Sequence, residues 1–179
     1  MEKINCIILT GAPGSGKTTL LNALRQKGVR CIDEPARQIL AEQRQIGGDG
    51  IPETNPGLFI ELMLSRTTKA FCDIDISNEL VIFDRGIADN IAYAKLFDLS
   101  LNHGWRAARL YRFNPLVFFT PNWPEIYKTD DERKMSFALA ASMGDNLREI
   151  YANLDYDVQD LPLCSVEERV DYLLEAVPA

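Results

Sequence analysis

The chain has 179 residues, 46% of them hydrophobic and 25% charged, which suits one buried core and a single globular domain spanning 1–179. Its formal net charge is −7 and the basic residues are scattered among acids, so it builds no basic face of the kind that grips nucleic acid by counterion release. Cys6, Cys31, Cys72 and Cys164 form no CxxC pair, which excludes a disulfide framework and a zinc knuckle, and they read as reduced and mostly buried. The first residues lack the apolar core of a signal peptide and no stretch is long enough to span a membrane, so a cytoplasmic location with no membrane partner is expected.

In chain order, "INCIIL" (about 4–9) is apolar almost throughout, the pattern of a strand buried on both faces of a parallel sheet. A helix is predicted over about 17–27, then a weaker strand "VRCI" (about 29–32), then a helix over about 35–46. "GGDGIPETNPG" reads as a loop before a helix over about 57–73, and "LVIF" (about 80–83) as a second buried strand before a helix over about 87–98. A helix over about 104–112 precedes a third apolar strand, "LVFF" (about 116–119). "TPNWPEIYKTDDER" reads as a loop, followed by a helix over about 131–152, a short strand "YDV" and a last helix over about 166–176. Strands alternating with helices imply an α/β fold with a parallel sheet of about five strands, flanked by helices through right-handed crossovers.

Between the first strand and first helix, Gly11, Ala12, Pro13, Gly14, Ser15, Gly16, Lys17 and Thr18 match GxxxxGK[ST] at every fixed position. Glycines let successive N–H groups turn inward as an anion nest, and the following helix adds its positive N-terminus. A plain strand-to-helix turn needs one or two glycines and no Gly-Lys-Thr ending, so the segment is read as a P-loop for a nucleoside triphosphate. Lys17 would reach the β- and γ-phosphates, the Thr18 hydroxyl would take a place on Mg²⁺, and Thr19 completes the cradle. The absence of an Asn-Lys-x-Asp run favours ATP over GTP.

Ligands of an open α/β sheet collect at the carboxyl ends of its strands. Asp84, ending the "LVIF" strand, has the placement of a carboxylate that holds Mg²⁺ near Thr18, and Arg85 can neutralise phosphate charge; alternatively the pair is a strand end with a surface ion pair. In "DEPAR", after the second strand, Glu34 is a candidate general base and Arg37 a candidate acceptor clamp, or Glu34 complements a helix dipole. The charged "YKTDDERK" could belong to a lid at about 122–140, with Arg133 the first choice for its cation and Lys128 and Lys134 behind it, or be a solvated face. Arg109 and Arg112 read as the end of one helix, "NHGW" around His103 as a turn without triad or zinc chemistry, and Trp105, Trp123, Phe118 and Phe119 as core. "QDLP" (159–162) is expected past the last strand, near the purine ring.

Together these residues resemble the P-loop kinases of nucleosides and nucleotides. More narrowly, "LTGAPGSGKTTLLNAL", "DEPARQIL", "FDRGIADNIAY" and "VQDLPLCSVEERVDYLL" resemble the AAA_28 group of predicted ATPases, which includes the kinase domain of the NadR protein. The resemblance implies a three-layer P-loop NTPase fold with a small helical lid, ATP and Mg²⁺ as cofactors, and a small-molecule acceptor. Deoxynucleoside kinases similarly use the glutamate of a Glu-Pro after the second strand as base. The chain lacks the arginine-finger segment and C-terminal helical domain of hexameric AAA+ machines, so ring assembly is not implied. Asn55 stands where the family opens a helix with Asp-Pro, which leaves the acceptor open; Asp89 matches a family acid that lines the acceptor pocket or caps its helix. Two functions are consistent with the residues: a kinase for a nucleoside-like metabolite, and an ATPase or GTPase switch with slow hydrolysis and no small-molecule acceptor.

Overall fold

The computed structural model describes residues 1–75, 79–127 and 136–177. Five parallel strands form the main sheet: β2 (Cys6–Gly11), β3 (Arg30–Ile32), β4 (Val81–Asp84), β6 (Leu116–Thr120) and β7 (Asp157–Asp160), in the order β3-β4-β2-β6-β7. A two-stranded parallel ladder outside it joins β1 (Glu2–Lys3) to β5 (Arg112–Phe113). The helices are α1 (Lys17–Gln26), α2 (Ala36–Ile46), α3 (Pro56–Asp73), α4 (Ile87–Leu96), α5 (Asn102–Leu110), α6 (Phe137–Ala152) and α7 (Val166–Ala176).

Alternation along β2 divides the core. Cys6 and Ile8 face a cluster shared with Phe83, Phe113, Phe119 and helices α3 to α6, whereas Ile7 and Leu9 face α1 and α7 through Leu20, Leu24, Val170 and Leu173. That is why β2 reads as a continuous apolar run: both of its faces are covered by helices. Truncating a fully buried residue such as Phe83 to Ala is expected to cost about 3–5 kcal/mol.

Sheet register sets the site. Leu9 pairs with Asp84 and Gly11 with Thr120, so the strand that carries the glycine-rich loop has polar strand ends on both sides. The Arg85 N–H donates to the Leu9 carbonyl at 3.0 Å, extending the ladder by one residue.

Local chemistry explains most element limits. Asn55 caps α3 by accepting from the Leu58 N–H at 3.1 Å, with Pro56 at the first helical position. Ser165 and Glu168 close a reciprocal capping box on α7. Strand β2 starts and ends two residues later than expected, because Ile4 is 65% exposed and Thr10 and Gly11 continue the ladder.

Several expectations change. Arg112 is not helical: it lies in β5, donates to the Leu154 carbonyl at 2.7 Å and stacks 4.0 Å above Tyr156. "NHGW" is the first turn of α5 rather than a free turn, and His103 pairs with Glu61 at 2.8 Å on the surface. Gln159 and Asp160 belong to β7 and bond Tyr172 and Arg148, so only Leu161 and Pro162 of "QDLP" follow the strand. Cys6 alone among the cysteines is buried; Cys31 and Cys164 are half-buried and Cys72 is exposed, all four with free thiols. Phe118 and Phe119 are core and Trp105 packs against it, but Trp123 is half-buried and stands 5.7 Å from the Arg169 guanidinium instead. Arg133, Lys128 and Lys134 lie outside the described residues. No described helix is long and apolar enough to cross a membrane.

Candidate active site

The glycine-rich loop runs from Gly11 to Lys17, where α1 begins. Gly11 has φ +145° and Gly14 φ +83°, conformations that an L side chain rarely adopts, and a Cβ on Gly11 would collide with Thr120. Ala12 is buried, and Ser15 clamps the loop from inside: its hydroxyl donates to the Ala12 carbonyl at 2.7 Å and lies 2.5 Å from the Thr120 hydroxyl. Thr120 in turn donates to the Thr10 carbonyl at 3.0 Å. Thr18 and Thr19 are exposed in the first turn of α1, directly after the loop.

Lys17 is 8% exposed, and its Nζ lies 4.0 Å from Asp84 Oδ1. Burial, then the neighbouring Arg85 charge, push its pKa down to about 8 against the pull of Asp84, Glu34 and Asp89. Burial conversely pushes the Asp84 carboxyl above its ordinary range, with Lys17 and Arg85 opposing. Asp84 Oδ1 is buried without a hydrogen-bond partner among the described residues. An orphaned carboxylate oxygen at the strand end is a hard oxygen donor of the type that suits Mg²⁺.

Arg85 occupies the left-handed region at φ +67° and is 5% exposed, which turns its side chain back across the sheet edge. Its Nη1 donates to the Gly11 carbonyl at 3.0 Å and to Asp89 Oδ1 at 3.1 Å, and its Nε lies 3.2 Å from Glu34 Oε1. Burial works against its charge, but Tyr93, Glu34, Asp89 and Asp84 together hold it protonated well above the usual range. Glu34 is reached a second time by the Tyr93 hydroxyl, which donates to Oε1 at 2.9 Å.

Of the two roles open to Asp89, the structure displays the cap. The side chain is 1% exposed and accepts from the Gly86 N–H at 2.9 Å, from Thr10 at 2.5 Å and from the Tyr151 hydroxyl, besides Arg85. It anchors Arg85 rather than lining an open surface. Arg37 is exposed on α2, one turn beyond Glu34, and Asp33 points away to pair with Arg25 at 2.5 Å.

Lys17, Glu34 and the adjacent Asp84 and Arg85, taken from three separate chain segments, thus converge at the carboxyl ends of β2, β3 and β4. Sequence reasoning missed Tyr93, Thr10, Thr120 and Tyr151. Only Tyr93 left a signal, four residues after Asp89 and therefore on the same helix face.

The family model described as "AAA domain", AAA_28, matches residues 6–169, from the first residue of β2 into α7. The chain belongs to the AAA_28 family. Among solved structures, this AAA_28 chain is similar to deoxyadenosine kinase from M. mycoides with bound dATP, at TM-score 0.69 and 14% identity over 95% of this chain and 97% of that one. It is similar also to the NadR protein in complex with NR, at TM-score 0.69 and 18% identity over 97% of this chain and 52% of that one, so it spans about half of NadR. Thymidylate kinase from Ehrlichia chaffeensis gives TM-score 0.60 and 17% identity over 96% of this chain and 97% of that one. At these identities the likeness establishes the P-loop kinase fold. A search of curated proteins returns no match.

Proposed function

We propose that this AAA_28 chain is an ATP-dependent kinase that transfers the γ-phosphoryl group to a hydroxyl or phosphate of a small, nucleoside-like metabolite. The observation that carries the reading is Glu34, held on Oε1 by Tyr93 and Arg85 within the same cluster as Lys17 and Asp84. Both contacts fall on one oxygen, which leaves Oε2 to receive the proton of an acceptor hydroxyl. A nucleotide switch with slow hydrolysis has no small-molecule acceptor for that carboxylate to deprotonate, so the two readings differ in what an acceptor does to turnover. Kinase names among the structures of like fold, and the nucleoside-type ligands named with them, support the same direction.

In this reading the loop N–H groups and Lys17 hold the donor phosphates. Arg85, fixed by Gly11 and Asp89, places a permanent positive charge between donor and acceptor. Catalysis is then mainly positioning and electrostatics, as phosphoryl transfer requires. Mg²⁺ would be held by Thr18 and Asp84 and would neutralise phosphate charge when bound. A lid over 122–140 with Arg133 would exclude water, and Arg37 would bind the far end of the acceptor. Cytoplasmic location belongs to the same proposal.

The test is nucleotide turnover with Mg²⁺ against a panel of nucleosides, nucleotides and pyridine ribosides, for the wild type and Glu34→Gln. Stimulation by one compound that is lost in Glu34→Gln while nucleotide binding persists is the expected result. A flat panel despite Lys17-dependent nucleotide binding overturns the kinase in favour of the switch.

A further inference from the structure

Arg169, on α7, belongs to none of the groups above. It is 2% exposed, and its Nε and Nη2 have no hydrogen-bond partner among the described residues. A guanidinium keeps its charge at every ordinary pH, and a buried charge without a counter-charge is strongly unfavourable. Burial pulls its pKa down, and the group that opposes this is the thiol of Cys164 rather than any carboxylate.

Its surroundings indicate which anion is wanted. A Cβ built on Gly16 would lie 3.2 Å from Arg169 Nη1, so the guanidinium borders the phosphate loop itself. Lys17, Asp84, Arg85 and Glu34 all lie toward β4, whereas Arg169 lies on the opposite flank, where α7 follows β7 and packs on α1. Nε–H and the adjacent Nη2–H point in parallel from one edge of the guanidinium, the fork that takes two oxygens of a phosphate. A triphosphate whose reacting end meets the β4 charges must extend its other end toward this flank.

We propose that Arg169 binds a non-transferred phosphate of the nucleotide through its Nε and Nη2 edge. The inference rests on the nucleotide reading of the loop and adds a ligand that the motif does not contain. Access to that edge is covered in the structure. The Trp123 ring lies 5.7 Å from Arg169 Cζ. Ile126 comes within 3.1 Å of the same built Cβ on Gly16, and Tyr127 within 2.6 Å of one on Gly14. Nucleotide entry therefore displaces Trp123, and the arginine exchanges an indole face for an anion. Because the contact is made equally before and during transfer, its loss weakens binding rather than the chemical step.

The chain contains two tryptophans, so Trp105→Phe leaves Trp123 as the sole tryptophan of the full-length protein, excited selectively over its six tyrosines. In that background, ATP and ADP are titrated with Mg²⁺ while Trp123 emission and binding heat are recorded, for Arg169 and for Arg169→Gln and Arg169→Lys. The parent is expected to change its Trp123 emission on binding either nucleotide. Arg169→Gln should lose roughly 10- to 100-fold in affinity for ATP and ADP alike, the range of a charge-assisted fork, with Arg169→Lys in between. The unliganded melting temperature should hold or rise in both variants, since a buried cation whose Nε and Nη2 have no partner among the described residues has been removed or made more flexible. Binding by the parent with variant affinities within twofold overturns this inference and leaves the nucleotide reading standing. A fall in unliganded melting temperature that parallels the affinity loss marks Arg169 as structural and also overturns it. Failure of the parent to bind either nucleotide overturns both.

Discussion

Removing the carboxylate of Asp89 should unfasten the catalytic end of the sheet. Asp89→Ala deletes at once the acceptor for Thr10, for Tyr151, for the Gly86 N–H and for Arg85, all at a position 1% exposed. Breaking a buried ion pair by losing one partner costs about 3–5 kcal/mol, because the surviving charge stays buried. For a domain of this size each kcal/mol lowers the melting temperature by about 2–4 °C, so the fall should be roughly 6–20 °C. Glu34→Ala is the internal control: it touches the same Arg85, but its side chain is 20% exposed and Asp89 remains in place. Its loss takes an acceptor from the Tyr93 hydroxyl and a counter-charge from Arg85, but partial solvent access limits the cost to about 1–3 kcal/mol. Thermal unfolding followed by far-UV circular dichroism, with urea titration at one temperature, measures both. An Asp89→Ala melting temperature within about 2 °C of the wild type, or a larger loss in Glu34→Ala, would refute the assignment of Asp89 as the anchor of Arg85.

Lys17 gives a prediction in pH. Its folded pKa of about 8 lies below the ordinary 10.5, so between those values the unfolded chain holds a proton that the folded chain has released, and stability must rise with pH across that window. Relative to Lys17→Met, the unliganded wild type should gain on the order of 2–3 kcal/mol over that range in urea unfolding, and a flat or falling difference would contradict the burial of its ammonium. Thr120→Val removes the hydroxyl 2.5 Å from Ser15 that braces the loop. It should cost about 1–2 kcal/mol of stability and weaken nucleotide binding by calorimetry, and unaltered affinity would show that the loop holds its shape without the brace. Asp84→Asn should lower turnover and raise the Mg²⁺ concentration needed for half-maximal turnover, while raising the unliganded melting temperature slightly, since Asp84 is a buried acid with an orphaned oxygen. A Mg²⁺ concentration dependence in Asp84→Asn unchanged from the wild type would remove that residue from the metal.

What could be read from the chain beforehand was whatever is local. The apolar runs of β2, β4 and β6, and the loop from Gly11 to Thr18, announce themselves because each strand has both faces covered and each glycine serves a turn within eight residues. The Arg85 anchor was hidden because its partners come from residue 10 and residue 151, which only the sheet and α6 bring beside α4. Arg112 reads as helical for the same reason: its two-residue strand exists only because Glu2 and Lys3 lie alongside, a pairing across more than a hundred residues. Trp123 reads as core because an aromatic ring in a loop carries no other local signal, whereas its place over Arg169 depends on α7, more than forty residues later in the chain.

Lys3 places its ammonium against the carbonyls of Phe71, Cys72 and Ile74, tying the start of the chain to the end of α3. That knot lies at the amino end of the sheet, one full strand of six residues, or roughly 20 Å, from the loop at the carboxyl end of β2. Cys72, the exposed thiol of the four, therefore sits on the far pole of the molecule. A dye or surface tether coupled there leaves the nucleotide end facing solution, ready for single-molecule work on native loop and strand ends.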